Sequence, residues 1–158
     1  MGKTRVLLID DEARTRQTLA HTLKLSGYTV IAAENGEAGL ALFDAEQPDI
    51  VLLDLQMPEM DGLTVLKEMQ KRDPEANVIL SAGHGDKEAA IAAMRAGASD
   101  FLLKPIEPIV LESALRRAEE YMTLKCKLRA SQEALRQQNA HLEAIVKANT
   151  EELRASEA

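Results

Sequence analysis

A chain of 158 residues with one cysteine, Cys126, suits one domain of about 100 to 150 residues plus an appendage, and it excludes a disulfide framework or a zinc site. The net charge of −7 argues against direct nucleic-acid binding, which depends on a basic face, but it permits cation binding. Because no apolar run approaches the roughly 20 residues that span a bilayer, we expect a cytoplasmic protein without a membrane segment.

Five short apolar runs are predicted to be strands, since each is too short for a helix and most end at polar residues. Helical segments separate them, with Asn35 and Asp86 as predicted N-caps and Gly27 and Gly97 at helix ends. Such alternation predicts an α/β, doubly wound fold, in which helices cover both faces of a parallel sheet. The predicted strands are residues 5–9, 28–33, 50–54, 78–81 and 100–103.

Polar side chains follow the predicted strands at one edge of the sheet. In doubly wound sheets, ligands bind outside the carboxyl ends of the strands, at the point where strand order reverses. Three clustered carboxylates repel one another, and a divalent cation such as Mg²⁺ relieves that repulsion. The polar residues at this edge are Asp10, Asp11, Asp54, Ser81 and Lys104.

Phosphoryl transfer is the chemistry that these residue types favour. A carboxylate accepts a phosphoryl group as an acyl phosphate, and the transition state needs mainly positioning and charge neutralisation. Asp54 is the candidate nucleophile because it ends a run of four branched apolar residues, just before a loop that contains proline and glycine. Lys104 would neutralise phosphoryl charge, and the Ser81 hydroxyl would donate a hydrogen bond to a phosphoryl oxygen.

Residues 4–120 resemble the receiver domain of two-component response regulators. The resemblance rests on an acidic pair, a phosphoacceptor, a switch hydroxyl, a switch aromatic and a lysine that agree in order and strand context. These positions are Asp10 and Asp11, Asp54, Ser81, Phe101 and Lys104. The resemblance implies a flavodoxin-like sheet with strand order 2-1-3-4-5 and a cis peptide bond between Lys104 and Pro105.

The resemblance also implies the cofactor and the partners. Mg²⁺, or Mn²⁺, would be held by Asp10, Asp11, Asp54 and the backbone carbonyl of Gln56. The phosphoryl group would come from a histidine kinase or a phosphotransfer protein, and it would be lost by self-catalysed hydrolysis. The domain would therefore be a phosphorylatable regulator rather than a turnover enzyme.

Some of these residues also have structural interpretations that need no role in a functional site. Ser81 alone would be a turn former, and Phe101 is as compatible with a core aromatic as with a mobile switch. His84, in a loop between two glycines, is interpreted as a turn residue without a catalytic role. His141 lacks the following acid and proline that mark a phosphodonor histidine, so it receives no role either.

The chain beyond Pro108 has no glycine or proline and is predicted to form one helix of good helix formers. Leucines recur every seven residues at the d positions 128, 135 and 142, whereas polar Lys125, Gln132 and Asn139 occupy a positions. This pattern favours a parallel homodimer. We hypothesise in addition that phosphorylation biases how its two helices pair. A single solvated helix that acts as a tether is the alternative.

We therefore predict a receiver at residues 1–120 and a coiled-coil linker at residues 121–158. The heptad pattern has no terminating residue, so we expect the linker to lead to an output domain beyond residue 158. The alternatives are an aspartyl phosphatase of the haloacid dehalogenase type, which would place its nucleophile after the first strand, and a dimerisation scaffold that is never phosphorylated.

Overall fold

The computed structural model describes residues 3–83 and 85–157, and its side chains are described through residue 154. Its centre is a five-stranded parallel sheet of order β2-β1-β3-β4-β5, which confirms the predicted fold class and strand order. The strands are β1 Arg5–Ile9, β2 Thr29–Ala33, β3 Ile50–Asp54, β4 Val78–Ala82 and β5 Asp100–Leu103. The interpretation of His84 concerns a residue outside the described part of the chain.

Helices connect the strands and cover the sheet. They are α1 Ala13–Leu25, α2 Gly36–Glu46, α3 Gly62–Arg72, α4 Lys87–Arg95 and α5 Pro108–Glu157. Central strands β3 and β4 are buried at every residue, because helices lie on both faces of the sheet. The polar side chains of these two strands are Asp54 and Ser81, and both lie within the last two residues of their strand.

Helix caps show where local sequence and tertiary structure agree. The Asn35 side chain accepts a hydrogen bond from the Ala38 amide at 2.8 Å, which confirms it as an N-cap. Asp86 is the N-cap residue of α4, as predicted, and its carbonyl accepts from the Ala90 amide at 2.8 Å, but its side chain makes no capping hydrogen bond. Its carboxylate turns back instead and accepts hydrogen bonds from the Gly83 amide, at 2.9 Å, and from the Gln56 side chain.

The first turns of α5 pack on the sheet. Leu111 and Leu115 are fully buried there, and the Asn77 side-chain amide donates to the Ala118 carbonyl at 3.2 Å. The chain divides at this point into two compact units, Met1–Ala118 and Glu119–Ala158. No helix in the described part of the chain has the length and apolar character needed to cross a membrane.

The second unit is the remainder of α5. Its described side chains are almost all exposed, including the leucines at the d positions of the heptad pattern. Leu128, Leu135 and Leu142 are 58%, 56% and 52% exposed. Their regular spacing leaves an apolar stripe on this unit that the single chain does not cover.

Gly62 allows α3 to start directly against the end of β3. A Cβ at this position would lie 2.5 Å from the Asp54 carbonyl oxygen and 2.6 Å from the Leu55 Cα, both of which are backbone atoms. We expect Gly62→Ala to lower the free energy of unfolding by about 2 kcal/mol or more, because neither neighbour can move without moving the strand. Urea unfolding followed by circular dichroism measures this loss.

Gly85→Ala is the matched control, since a Cβ there would meet no heavy atom within 4 Å. It should change the free energy of unfolding by less than about 1 kcal/mol. Equal losses in the two variants would contradict the close approach at Gly62.

Candidate functional site

The strand register brings the predicted acids together at the carboxyl edge of the sheet. Ile9 pairs with Leu53, so Asp10 and Asp54 follow on neighbouring strands at the same level. Oxygen atoms of Asp10, Asp11 and Asp54 lie within 4.8 Å of one another. Asp10 is 1% exposed and Asp54 is 2% exposed, whereas Asp11 faces solvent. Two of the three charges are therefore held away from bulk water.

Lys104 brings a positive charge to these acids. Its Nζ lies 3.0 Å from Asp54 Oδ2 and 3.8 Å from Asp10 Oδ2. Its backbone amide donates to the Ala82 carbonyl at 2.8 Å, which fixes the end of β5 against β4. The peptide bond that follows, to Pro105, is cis, as the resemblance implied. One ammonium group thus faces the two buried carboxylates.

Backbone amides orient the two buried carboxylates. The Glu12 amide donates to Asp10 Oδ1 at 2.9 Å, and the Gln56 amide donates to Asp54 Oδ1 at 3.2 Å. In both pairs the donor is two residues after the acid, a turn that aspartate stabilises with its own side chain. The Arg16 side chain also donates to the Asp10 carbonyl at 2.9 Å. Sequence reasoning gave Arg16 no role in the site, because its contact with Asp10 reaches back across the first turn of α1.

Burial raises the pKa of Asp54 from its ordinary value of 3.8 to about 6. The hydrogen bond from Lys104 opposes the rise, and the charge of Asp10 adds to it. Burial also lowers the pKa of Lys104, but the hydrogen bond and charge of Asp54, with the charges of Asp10 and Asp11, raise it overall. Lys104 is therefore charged at neutral pH, whereas burial makes the ionised form of Asp54 less favourable than it would be in water.

The donor set fits a divalent cation. Asp10 Oδ2 is buried and accepts no hydrogen bond from any described residue, so an acceptor in this pocket lacks a donor. It lies in the group of three carboxylates, and carboxylate oxygens are the ligands that Mg²⁺ and Mn²⁺ take. Gln56 follows Asp54 by two residues, and the ligation by its carbonyl stays a prediction.

Ser81 and Phe101 occupy different environments. Ser81 is buried in β4 and stands opposite Asp54 in the strand register, so its hydroxyl belongs to this edge of the sheet. Phe101, in the edge strand β5, is 40% exposed and is therefore not a core aromatic. The switch roles of both residues stay predictions.

Asp86 is the residue of this region whose contacts sequence reasoning missed. Its carboxylate binds the Gln56 side chain, 30 residues away in the chain. A serine, threonine, asparagine or aspartate before an alanine-rich helix normally indicates a cap, so the local sequence pointed to another partner. No periodicity or spacing in the sequence connects Gln56 with Asp86.

Comparison with protein families identifies the family of this chain. Residues 6–116 match the family described as "Response regulator receiver domain". The chain belongs to this family. Receiver domains are the regulatory domains of two-component systems, and they bind Mg²⁺ at a cluster of aspartates such as the one described above.

Individual relatives agree with this assignment. The receiver is 39% identical to the chemotaxis protein CheY of Thermotoga maritima over 121 residues, 76% of this chain and all of CheY. It is 37% identical to the regulatory protein AtoC of Escherichia coli over 131 residues, 83% of this chain and 28% of AtoC. The chain thus spans under a third of AtoC, and 44% of the probable transcriptional regulator ycf27 of Guillardia theta.

Solved structures show the same fold. A response regulator receiver domain protein from Clostridium thermocellum aligns with a TM-score of 0.75 at 34% identity, over 77% of this chain and 98% of that one. The NtrX protein of Brucella abortus, in complex with ADP, aligns with a TM-score of 0.77 at 33% identity, over 80% of this chain and 29% of that one. The similarity thus extends to small single-domain chains and to parts of longer ones.

The raised pKa of Asp54 makes stability depend on pH in a predictable direction. A carboxyl whose pKa is higher in the folded state stabilises the fold at low pH, and this contribution is lost as pH rises from 3.8 through about 6. Between about pH 4 and pH 8 the receiver should lose about 2 kcal/mol of unfolding free energy relative to Asp54→Asn. Urea unfolding of both proteins in a chelator at the two pH values measures the difference.

Asp49→Asn is the matched control, since Asp49 is an acid at the opposite end of β3 that accepts a hydrogen bond from the Arg5 amide. A stability difference between the receiver and Asp54→Asn that does not change with pH would contradict the raised pKa.

Proposed function

We propose that this receiver accepts a phosphoryl group on Asp54 from a histidine kinase or a phosphotransfer protein in a Mg²⁺-dependent reaction. The observation that carries the proposal is the contact of Lys104 Nζ with Asp54 Oδ2 at 3.0 Å, beside the buried Asp10 and the nearby Asp11. A lysine and three acids at one strand edge match the needs of phosphoryl transfer, which are positioning and neutralisation of charge.

Asp54 is the acceptor that the geometry favours over Asp10. Asp54 Oδ1 is held by the Gln56 amide and Oδ2 by Lys104, so the carboxylate is fixed at both oxygens. Asp10 Oδ2 has only the more distant ammonium group at 3.8 Å. Asp10 and Asp11 are the natural residues to hold a metal, with Asp54 and the Gln56 carbonyl completing its protein ligands.

The reaction is a transfer between two nucleophiles. One oxygen of Asp54 forms a bond to phosphorus while the bond from phosphorus to the donor's imidazole nitrogen breaks, and the electron pair leaves with the imidazole. Lys104 neutralises charge on the phosphoryl oxygens, and the Ser81 hydroxyl donates a hydrogen bond to one of them. When bound, Mg²⁺ supplies charge stabilisation for the same oxygens. Water later attacks phosphorus, the bond from phosphorus to the Asp54 oxygen breaks, and inorganic phosphate leaves while the carboxylate is regenerated.

The position of Asp54 in the chain argues against the alternative function as a phosphatase. In the haloacid dehalogenase pattern the nucleophile follows the first strand and a second aspartate stands two residues later. Here Asp54 ends the third strand in chain order, and position 56 is glutamine. Together with the family assignment, this supports a phosphorylatable regulator in the cytoplasm rather than a turnover enzyme.

Phosphorylation is tested by mass spectrometry of the intact chain. Incubation with acetyl phosphate and Mg²⁺ should add one phosphoryl group to the receiver and none to Asp54→Asn, because the amide is not a nucleophile. Lys104→Met should slow the uptake by about 10-fold or more, since it removes the neutralising charge. Chelation of Mg²⁺ should abolish the uptake in every variant.

Glu68→Gln on the exposed face of α3 is the control, because it removes one acid that faces away from the site. It should be phosphorylated like the unaltered chain. Uptake that persists in Asp54→Asn would assign another acceptor, and continuous release of phosphate from phosphate monoesters would favour the phosphatase. A chain that takes up no phosphoryl group would favour the scaffold.

We further propose that residues 1–120 act as the receiver and residues 121–158 as a coiled-coil linker. The exposed leucines at 128, 135 and 142 would pair with those of a second copy in a parallel homodimer, and the linker would lead to an output domain beyond residue 158. The low coverage of AtoC and ycf27 is consistent with such a domain, because both relatives are more than twice as long as the part that aligns.

Disulfide crosslinking tests the homodimer in a Cys126→Ser background. Leu135→Cys, at a d position, should give a crosslinked dimer because facing d positions of a parallel pair lie within disulfide reach. Ala130→Cys, on the opposite helix face, should remain monomeric. Equal crosslinking at the two positions would contradict the pairing.

Addition of beryllofluoride and Mg²⁺, which mimic the phosphorylated state, should change the crosslinked fraction at position 135 if phosphorylation biases the pairing. An unchanged fraction would contradict the bias while leaving the dimer intact.

A further inference from the structure

Asp86 is a buried carboxylate to which the proposed phosphorylation chemistry assigns no role. It is 8% exposed and occupies the N-cap position of α4, but its side chain makes no capping hydrogen bond to that helix. Burying a charged group is unfavourable unless hydrogen bonds replace the lost water. Asp86 accepts two such hydrogen bonds, one at each carboxylate oxygen, and the two donors indicate its role.

The two hydrogen bonds connect different loops. Asp86 Oδ2 accepts from the Gly83 amide at 2.9 Å, and the Asp86 amide donates to the Gly83 carbonyl at 3.2 Å. These bonds fix Asp86 within the loop that follows β4. Its other oxygen, Oδ1, accepts from the side-chain amide of Gln56, in the loop that follows β3. Asp86 therefore holds Gln56 from outside the Gln56 loop.

Gln56 is where this contact reaches the site. Its backbone amide donates to Asp54 Oδ1 at 3.2 Å, so the same residue touches Asp54 with its main chain and Asp86 with its side chain. Gln56 is otherwise exposed, and an exposed loop residue adopts many conformations unless a contact orders it. The bond to the Asp86 carboxylate, a charged acceptor, is stronger than a bond between neutral groups.

We propose that Asp86 is a positioning residue, which holds the Gln56 side chain and thereby fixes the Gln56 main chain beside the Asp54 carboxylate. The proposal rests on the function proposed for Asp54. It predicts that loss of the Asp86 carboxylate weakens Mg²⁺ binding and slows phosphoryl uptake, because the peptide group next to Asp54 is no longer held.

The experiment measures Mg²⁺ affinity of the whole chain by titration calorimetry and the rate of uptake from acetyl phosphate by intact mass. Asp86→Ala should weaken Mg²⁺ binding by about 10-fold and slow the uptake by a similar factor, which is the lower end of the usual range for a lost contact behind a metal ligand. Gln56→Ala, an exposed substitution that does not endanger folding, should have the same effects.

The double variant separates positioning from other roles. If Asp86 acts through Gln56, then Asp86→Ala should cause no further loss in a Gln56→Ala background, so the two effects should not multiply. A loss of the same factor in both backgrounds would show that Asp86 acts by its charge or by ordering its own loop, and it would overturn the proposal.

Conservative and distant variants complete the test. Asp86→Asn keeps one acceptor oxygen for two donors, the Gly83 amide and the Gln56 side chain, so its NH2 group must face one of them. Its Mg²⁺ affinity should therefore fall between those of the unaltered chain and Asp86→Ala. Asp44→Ala, which removes an exposed acid paired with Arg72, should leave both measurements unchanged. A loss in Asp44→Ala equal to that in Asp86→Ala would overturn the positioning role, because removal of any acid would then be enough.

Failure of the proposed function has a different signature. An unaltered chain that binds no Mg²⁺ and takes up no phosphoryl group would overturn both proposals together. An unaltered chain that does both, beside an Asp86→Ala variant with the same affinity and rate, would overturn the positioning role alone.

Discussion

The whole site depends on two carboxylates being kept from water beside one ammonium group. Asp10 and Asp54 are both buried at neighbouring strand ends, and Lys104 approaches Asp54 more closely than Asp10. The burial cost appears as the raised pKa of Asp54, about 6. The same burial strengthens the attraction between the Asp54 carboxylate and Lys104, because less water screens the two charges.

The parallel sheet is what makes such a cluster possible. Parallel strands deliver their carboxyl ends to one edge, so residues far apart in sequence meet there without long loops. The register of β1, β3 and β4 sets Asp10, Asp54 and Ser81 at one level, and β5 adds Lys104. Gly62 then lets α3 begin directly against the end of β3, which keeps the loop after Asp54 short.

Sequence reasoning reached the acids and Lys104 because strand ends are visible as abrupt changes from apolar to polar residues. It could not settle Phe101, because the run Asp100–Leu103 is apolar at three successive positions and so does not reveal that an edge strand exposes one of its faces. It placed Asp86 correctly at the start of α4 but missed the partner of its side chain, which lies 30 residues away. Contacts between polar side chains of different loops leave no periodic pattern in the sequence, so only the structure reveals them.

The stripe along α5 has a consequence for the length of this helix. Beyond Ala118, Leu128, Leu135 and Leu142 recur at intervals of seven residues and are all exposed. In a straight helix each heptad shifts the leucines by only about 20° around the axis, so the three stay on one face. Insertions or deletions between these leucines preserve the stripe only when they add close to whole helical turns, as about seven or eleven residues do, so the spacing within this unit is constrained even where its other side chains are free to vary.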